Sequence, residues 1–104
     1  MDQGEAIRIS MNYLNKLKAS DFEFSEAWLF GSYAIGNQHV NSDIDLAIVL
    51  KENSRHTFDT DVQLMVLRNG EETIIEPHTF SKDEFDLQVP IVSQIIKYGI
   101  RLEV

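Results

Sequence analysis

Apolar residues recur at helical spacing in three parts of the chain. From Ile7 to Leu17 they predict an amphipathic helix whose apolar face belongs to the core and which ends between Lys18 and Ser20. A second helix is predicted to carry four apolar residues and to stop near Asn69-Gly70; these are Phe58, Val62, Met65 and Val66. Pro90 suits the first turn of a last helix that ends at Gly99.

Extended segments alternate with these helices. The predicted strands cover about Ala27 to Phe30, Ile44 to Leu50, Thr73 to Glu76 and a short stretch from Ile100 to Val104. The second strand is an almost unbroken apolar run, as is typical of a strand covered on both faces. Ser81-Lys82-Asp83-Glu84 has the form of a capping box and predicts a helical turn after Phe80. This order of elements indicates a mixed α/β domain spanning residues 1–104, with a small mixed sheet flanked by helices.

The most informative motif joins the first two strands. Gly31-Ser32 follows an apolar strand and turns the chain into a short helix, which leaves backbone N–H groups and a hydroxyl free to face an anion. Ten residues later come Asp43 and Asp45, whose side chains share a face because strand side chains alternate with period two. Paired carboxylates beside an apolar strand favour a bound divalent cation, and Mg²⁺ is the natural candidate.

A structural explanation of the same residues stays open. Gly31 and Ser32 could form a tight turn with a helix N-cap, and Asp43 and Asp45 could be solvated side chains at a strand end. Glu76 precedes Pro77 at a predicted strand end, where glutamates are often only exposed.

Gly31-Ser32, the two aspartates and the strand-borne Glu76 together resemble the signature of the nucleotidyltransferase superfamily, which includes DNA polymerase beta and kanamycin nucleotidyltransferase. The small chain is most similar to the minimal nucleotidyltransferases, or MNT domains. These are commonly paired with a HEPN-domain protein as a toxin-antitoxin module. The resemblance implies the nucleotidyltransferase fold over nearly the whole chain.

The resemblance also implies roles for individual residues. Gly31 and Ser32 would cradle the β- and γ-phosphates of a nucleoside triphosphate, and the resemblance implies ATP as the donor. Asp43, Asp45 and Glu76 would be the catalytic carboxylates and would hold two Mg²⁺ ions, and Glu76 could also act as general base. By the same resemblance, AMP would pass to a tyrosine hydroxyl on a HEPN toxin partner, and the protein would act as an antitoxin.

One position departs from the family pattern. Many members carry arginine in a Gly-Ser-x-x-Arg-Gly sequence, whereas this chain has Ile35 before Gly36. Because arginine clamps phosphate through two hydrogen bonds, its loss should weaken triphosphate binding unless Lys51, Arg55 or another cation enters the site. Ile35 therefore supports a rival hypothesis, in which the domain is a weak or inactive binding module that neutralises a partner by docking. Transfer to a small molecule such as an aminoglycoside ranks last, since 104 residues leave little room for an acceptor-holding domain.

Composition narrows the classes of function and the cellular locations that remain open. The net charge of -8 argues against a broad nucleic-acid surface, although it would attract a basic protein partner. The absence of cysteine excludes disulfides and thiolate chemistry, and no apolar run approaches a membrane span, so we expect a soluble cytoplasmic protein. His39, His56 and His78 show no ligand spacing and are interpreted as surface or loop residues; for His39, in the ten-residue loop, substrate contact is an alternative.

Overall fold

A computed structural model describes residues 1–104 and shows four strands, four α-helices and one 3₁₀-helix. The helices are α1 (Gln3–Ala19), α2 (Ser32–Ile35), α3 (Phe58–Val66) and α4 (Pro90–Tyr98), and the 3₁₀-helix spans Gly70–Ile74. The strands are β1 (Phe24–Phe30), β2 (Ile44–Leu50), β3 (Ile75–Phe80) and β4 (Ile100–Leu102). None of the helices combines the length and the apolar character that a membrane crossing requires.

The four strands form one mixed sheet in the order β3-β2-β1-β4. β1 pairs antiparallel with β2 and with β4, whereas β2 and β3 run parallel. The predicted fold class, a small mixed sheet flanked by helices, is confirmed. β2 occupies the residues predicted for it, and six of its seven residues are buried, as its apolar run indicated.

The main core lies on one face of the sheet. Alternate residues of β2, beginning with Ile44, Leu46 and Ile48, pack there with the apolar face of α1. The opposite face carries Asp45 and Ala47 from β2. It is only partly covered, by α4 and by aromatic side chains such as Trp28 and Phe85. A functional site therefore has room on this second face.

Helix α3 differs from the prediction in the face that it buries. Only Leu64 of this helix is buried, at 0% exposure, while the predicted apolar stripe points outward, with Phe58 80% and Val66 73% exposed. The helix ends at Val66, before the predicted stop. Gly70 has a left-handed φ of 58°, but it begins the 3₁₀-helix and does not cap α3.

The predicted capping box forms after β3, since Ser81 and Glu84 exchange hydrogen bonds, but the residues that follow make a turn and not a helix.

A histidine joins α3 to the turn after β3. His56 lies between Glu84 and Asp61, with ring nitrogens 2.8 and 2.9 Å from their carboxylate oxygens. Burial disfavours the charged ring, but these two hydrogen bonds raise the pKa of His56 above 6.5. The Ser81 backbone N–H, opposed by burial and aided by His56, holds the pKa of Glu84 below its ordinary value.

Candidate functional site

The turn between β1 and α2 depends on a glycine. Gly31 has φ 78° and ψ −154°, a backbone region that residues other than glycine rarely adopt. A Cβ at this position would lie 2.3 Å from Oδ2 of Asp45. The missing side chain therefore lets the Asp45 carboxylate lie directly against the turn, and the half-buried Ser32 begins α2 beside it.

The register between β2 and β3 brings two acidic residues side by side. Asp45 and Glu76 are paired across the parallel strands, and each is the second residue of its strand. Paired residues in adjacent strands project from the same face of the sheet. Carboxylate oxygens of Asp45 and Glu76 and a ring nitrogen of His78 all lie within 4.8 Å of one another. We call these three residues the acidic group.

His78 is the member that sequence reasoning missed, and its interpretation as a surface or loop residue was wrong. It is half-buried in β3, where its Nε2 lies 3.1 Å from Oδ1 of Asp45 and its ring packs edge-on against Phe30 at 4.9 Å. The sequence predicts a strand that ends at Glu76, before Pro77, whereas β3 continues through Pro77 to Phe80. Pro77 is tolerated because β3 is an edge strand, where a residue without an N–H costs no pairing on the open side. A longer strand would have revealed Glu76 and His78 as same-face neighbours.

Asp43 lies outside the acidic group. It is exposed and directly precedes β2, where it lines a shallow cavity of about 280 Å³ together with Glu76 and Arg68. The structure thus brings Asp45 and Glu76 together and leaves Asp43 at their margin.

The cations named as substitutes for the family arginine lie elsewhere or have other partners. Lys51 pairs with Glu23 at 3.4 Å, and Arg55 lines a different cavity. Arg68 is the cation beside Asp43 and Glu76, but its guanidinium donates to the carbonyl oxygens of Met65, Thr73 and Ile75. Its contacts therefore fix the start of β3 in place next to the acidic group.

The donor set of the acidic group fits a divalent cation that prefers oxygen ligands. Two carboxylates from adjacent strands offer oxygens that Mg²⁺ or Mn²⁺ accepts, and Gly31 leaves space on the side of Asp45 Oδ2. The hydrogen bond between His78 and Asp45 Oδ1 orients that carboxylate, as residues that hydrogen-bond to metal ligands commonly do.

Comparison with known proteins identifies the family of the chain. The family model described as "Polymerase beta, Nucleotidyltransferase" matches residues 12–102. Among curated proteins no relative is detected.

Several solved structures share the fold. A candidate nucleotidyltransferase from Sulfolobus solfataricus superimposes with a TM-score of 0.68 at 17% identity, over 95% of this chain and 80% of its own. A toxin-antitoxin structure with AMP-PNP gives 0.63 at 24% identity, covering 88% and 71%. An MntA-HpeT toxin-antitoxin variant gives 0.60 at 18% identity, covering 99% and 73%.

At these identities the solved structures show a common fold, and the family model covers most of the chain. The resemblance read from Gly31-Ser32 and the two aspartates is confirmed. The chain belongs to the polymerase beta-like nucleotidyltransferase family.

Proposed function

We propose that this protein transfers AMP from ATP to a hydroxyl group, with Asp43, Asp45 and Glu76 as its catalytic, metal-binding carboxylates and Gly31-Ser32 as its phosphate cradle. The observation that carries the proposal is the acidic group next to Gly31, in a chain of the nucleotidyltransferase family. Two Mg²⁺ ions held there would supply charge stabilisation to both the attacking and the leaving oxygen.

The residues of the chain have distinct tasks in this proposal. The backbone at Gly31 and Ser32 binds the terminal phosphates, since the first N–H groups of a helix have no partner within it. Asp43 is exposed and precedes β2, so its side chain is free to turn toward Asp45 and Glu76. A neighbouring structure was solved as a variant with two aspartates, two positions apart in its own chain, replaced by glutamate, the same spacing as Asp43 and Asp45.

The chemical step is an in-line displacement. The acceptor oxygen forms a bond to the α-phosphorus of ATP, the bond from that phosphorus to the oxygen bridging the β-phosphate breaks, and pyrophosphate leaves. Glu76 is exposed at the rim of the acidic group and accepts the proton of the acceptor hydroxyl.

The acceptor that we propose is a tyrosine on a HEPN-type toxin, so that this protein acts as an antitoxin. Two of the similar structures are toxin-antitoxin proteins, and one of them was solved with AMP-PNP. The net charge of -8 would favour a partner with a basic surface.

A second candidate is a domain that neutralises its partner by docking alone. Ile35 favours it, because this side chain is apolar and 57% exposed where the family pattern has arginine. The position of Asp43 outside the acidic group points the same way.

One experiment separates the two candidates. The protein is incubated with α-labelled ATP, Mg²⁺ and the product of the neighbouring reading frame, and label transfer is followed together with the mass of that product. Asp45→Asn should lower the transfer rate by roughly 100-fold or more, because the displacement loses an essential charge. Asp83→Asn, an exposed aspartate in the turn after β3, is the matched control and should leave transfer unchanged. If the Asp45→Asn variant still neutralised the partner without transferring label to it, docking alone would be established instead.

A further inference from the structure

An apolar cavity of about 480 Å³ lies beside the Gly31 turn and is not used by the proposed chemistry. Its walls come from the end of β1, from α2 and from α4. Side chains that define it are those of Phe30, Ile35, Ile91, Gln94 and Tyr98. A cavity of this size, apolar with a few polar groups, is typical of a small-molecule site.

The cavity adjoins the acidic group. Gly31 forms part of its wall, and Oδ2 of Asp45 lies 2.3 Å from the position that a Cβ of that glycine would take. Phe30 also serves both places, since it lines the cavity and its ring packs against His78. A nucleotide whose phosphates bind at the Gly31 turn would therefore have this cavity within reach of its nucleoside.

The chemistry of the walls selects an uncharged group. No charged residue lines the cavity, so a phosphate or a carboxylate would lose its hydration there without gaining a partner. Ile35 forms one wall, which gives the exposed isoleucine in the family's arginine position a task of its own. Gln94 and Tyr98 supply the only polar side chains, and a glutamine amide offers the donor and acceptor that pair with N7 and N6 of adenine.

We propose that this cavity binds the adenine base of the nucleotide donor, with Ile35, Ile91 and Tyr98 packing on the ring and Gln94 favouring adenine over guanine. The inference rests on the proposed function, because it requires the triphosphate to bind at Gly31-Ser32. It assigns a base preference and a binding residue outside the family motif.

The test compares ligands with and without a base. Calorimetry measures the binding of Mg²⁺-ATP, Mg²⁺-GTP and Mg²⁺-tripolyphosphate to the intact chain. Ile91→Asp should weaken ATP binding roughly tenfold, since contact with a base is worth roughly 1–3 kcal/mol, and should leave tripolyphosphate binding unchanged. Ile96→Asp is the matched control, because Ile96 lies on the same helix with similar exposure, 38% against 47% for Ile91, but outside the cavity.

Gln94→Ala keeps the test sharp if Ile91→Asp does not fold. It should bring the affinities for ATP and GTP together, with a loss of roughly fivefold or more in their ratio. Equal effects of Ile91→Asp and Ile96→Asp on ATP, or an unchanged ATP to GTP ratio in Gln94→Ala, would overturn the inference. Those outcomes leave the proposed function intact if label transfer persists, whereas failure of both ATP and tripolyphosphate to bind the unaltered protein would count against the proposed function itself.

Discussion

Gly31→Ala tests whether the turn and the acidic group form one unit. The substitution adds a single methyl group to a residue with φ 78°, at a point 2.3 Å from Asp45 Oδ2. Since unbonded atoms are essentially never that close to a Cβ, the Asp45 side chain or the turn itself must shift. Such a shift would disturb the hydrogen bond between Asp45 and His78, which is 3.1 Å long in the unaltered protein.

The size of the effect follows from two contributions. Backbone strain at such a dihedral pair costs about 1–3 kcal/mol. Loss of a hydrogen bond to the Asp45 carboxylate adds about 1 kcal/mol. Gly36→Ala provides the comparison, because Gly36 also has a left-handed φ of 82° but nothing lies within 4 Å of its Cβ position. It should cost only the strain of a left-handed residue, about 1–2 kcal/mol.

The assay combines urea unfolding with titration of Mn²⁺, which reports on the carboxylates directly. Gly31→Ala should lose about 2–4 kcal/mol of unfolding free energy and bind Mn²⁺ at least roughly tenfold more weakly, because a ligand is displaced. Gly36→Ala should keep its Mn²⁺ affinity despite a measurable loss of stability. Unchanged Mn²⁺ affinity in Gly31→Ala would refute the reasoning that this glycine exists to accommodate Asp45.

Two further predictions concern stability. Leu64→Ala should lower the unfolding free energy by about 2–5 kcal/mol, whereas Val66→Ala on the outer face of the same helix should change it by less than about 0.5 kcal/mol; equal losses in urea unfolding would contradict the observed face of α3. Because the pKa of His56 is raised, its contribution to the free energy of unfolding is complete below pH 6.5 and is lost as the pH rises through the folded-state pKa. Because the pKa of Glu84 is lowered, its contribution is complete above pH 4.5 and is lost as the pH falls through the folded-state pKa. His56→Gln should therefore destabilise the protein by about 0.5–1 kcal/mol near pH 5.5 and by progressively less as the pH rises above 6.5, as measured by unfolding across pH. A pH-independent loss would show that the histidine acts through packing alone.

The elements that local patterns predicted best are those whose sequence has one interpretation. β2 was predicted to its observed ends because a strand buried on both faces reads as a continuous apolar run. β1 begins at Phe24, three residues before the predicted Ala27. The prediction missed these residues because the polar Ser25 and Glu26 interrupt the apolar pattern of the strand. The pattern locates such a strand but not its ends.

The apolar stripe of α3 shows what spacing alone does not determine. Phe58, Val62, Met65 and Val66 recur at helical spacing, yet the helix packs through Leu64. The face of α3 that packs on the sheet depends on how the loop before Thr57 and the turn after Leu67 orient the helix against β3. Those constraints are tertiary and leave no local signal in the helix itself.

The candidate site was predictable in its parts but not in its grouping. The two-residue spacing of Asp43 and Asp45 suggested that they act as the pair, because side chains two apart on a strand share a face. In the structure Asp45 groups with Glu76, thirty-one positions later in the chain, because the parallel register of β2 and β3 sets them side by side. Register between strands is fixed by the packing of the whole sheet, so it could not be read from either strand alone. The same register also carries His78 next to Asp45, which is why a histidine without any sequence motif lies in the acidic group.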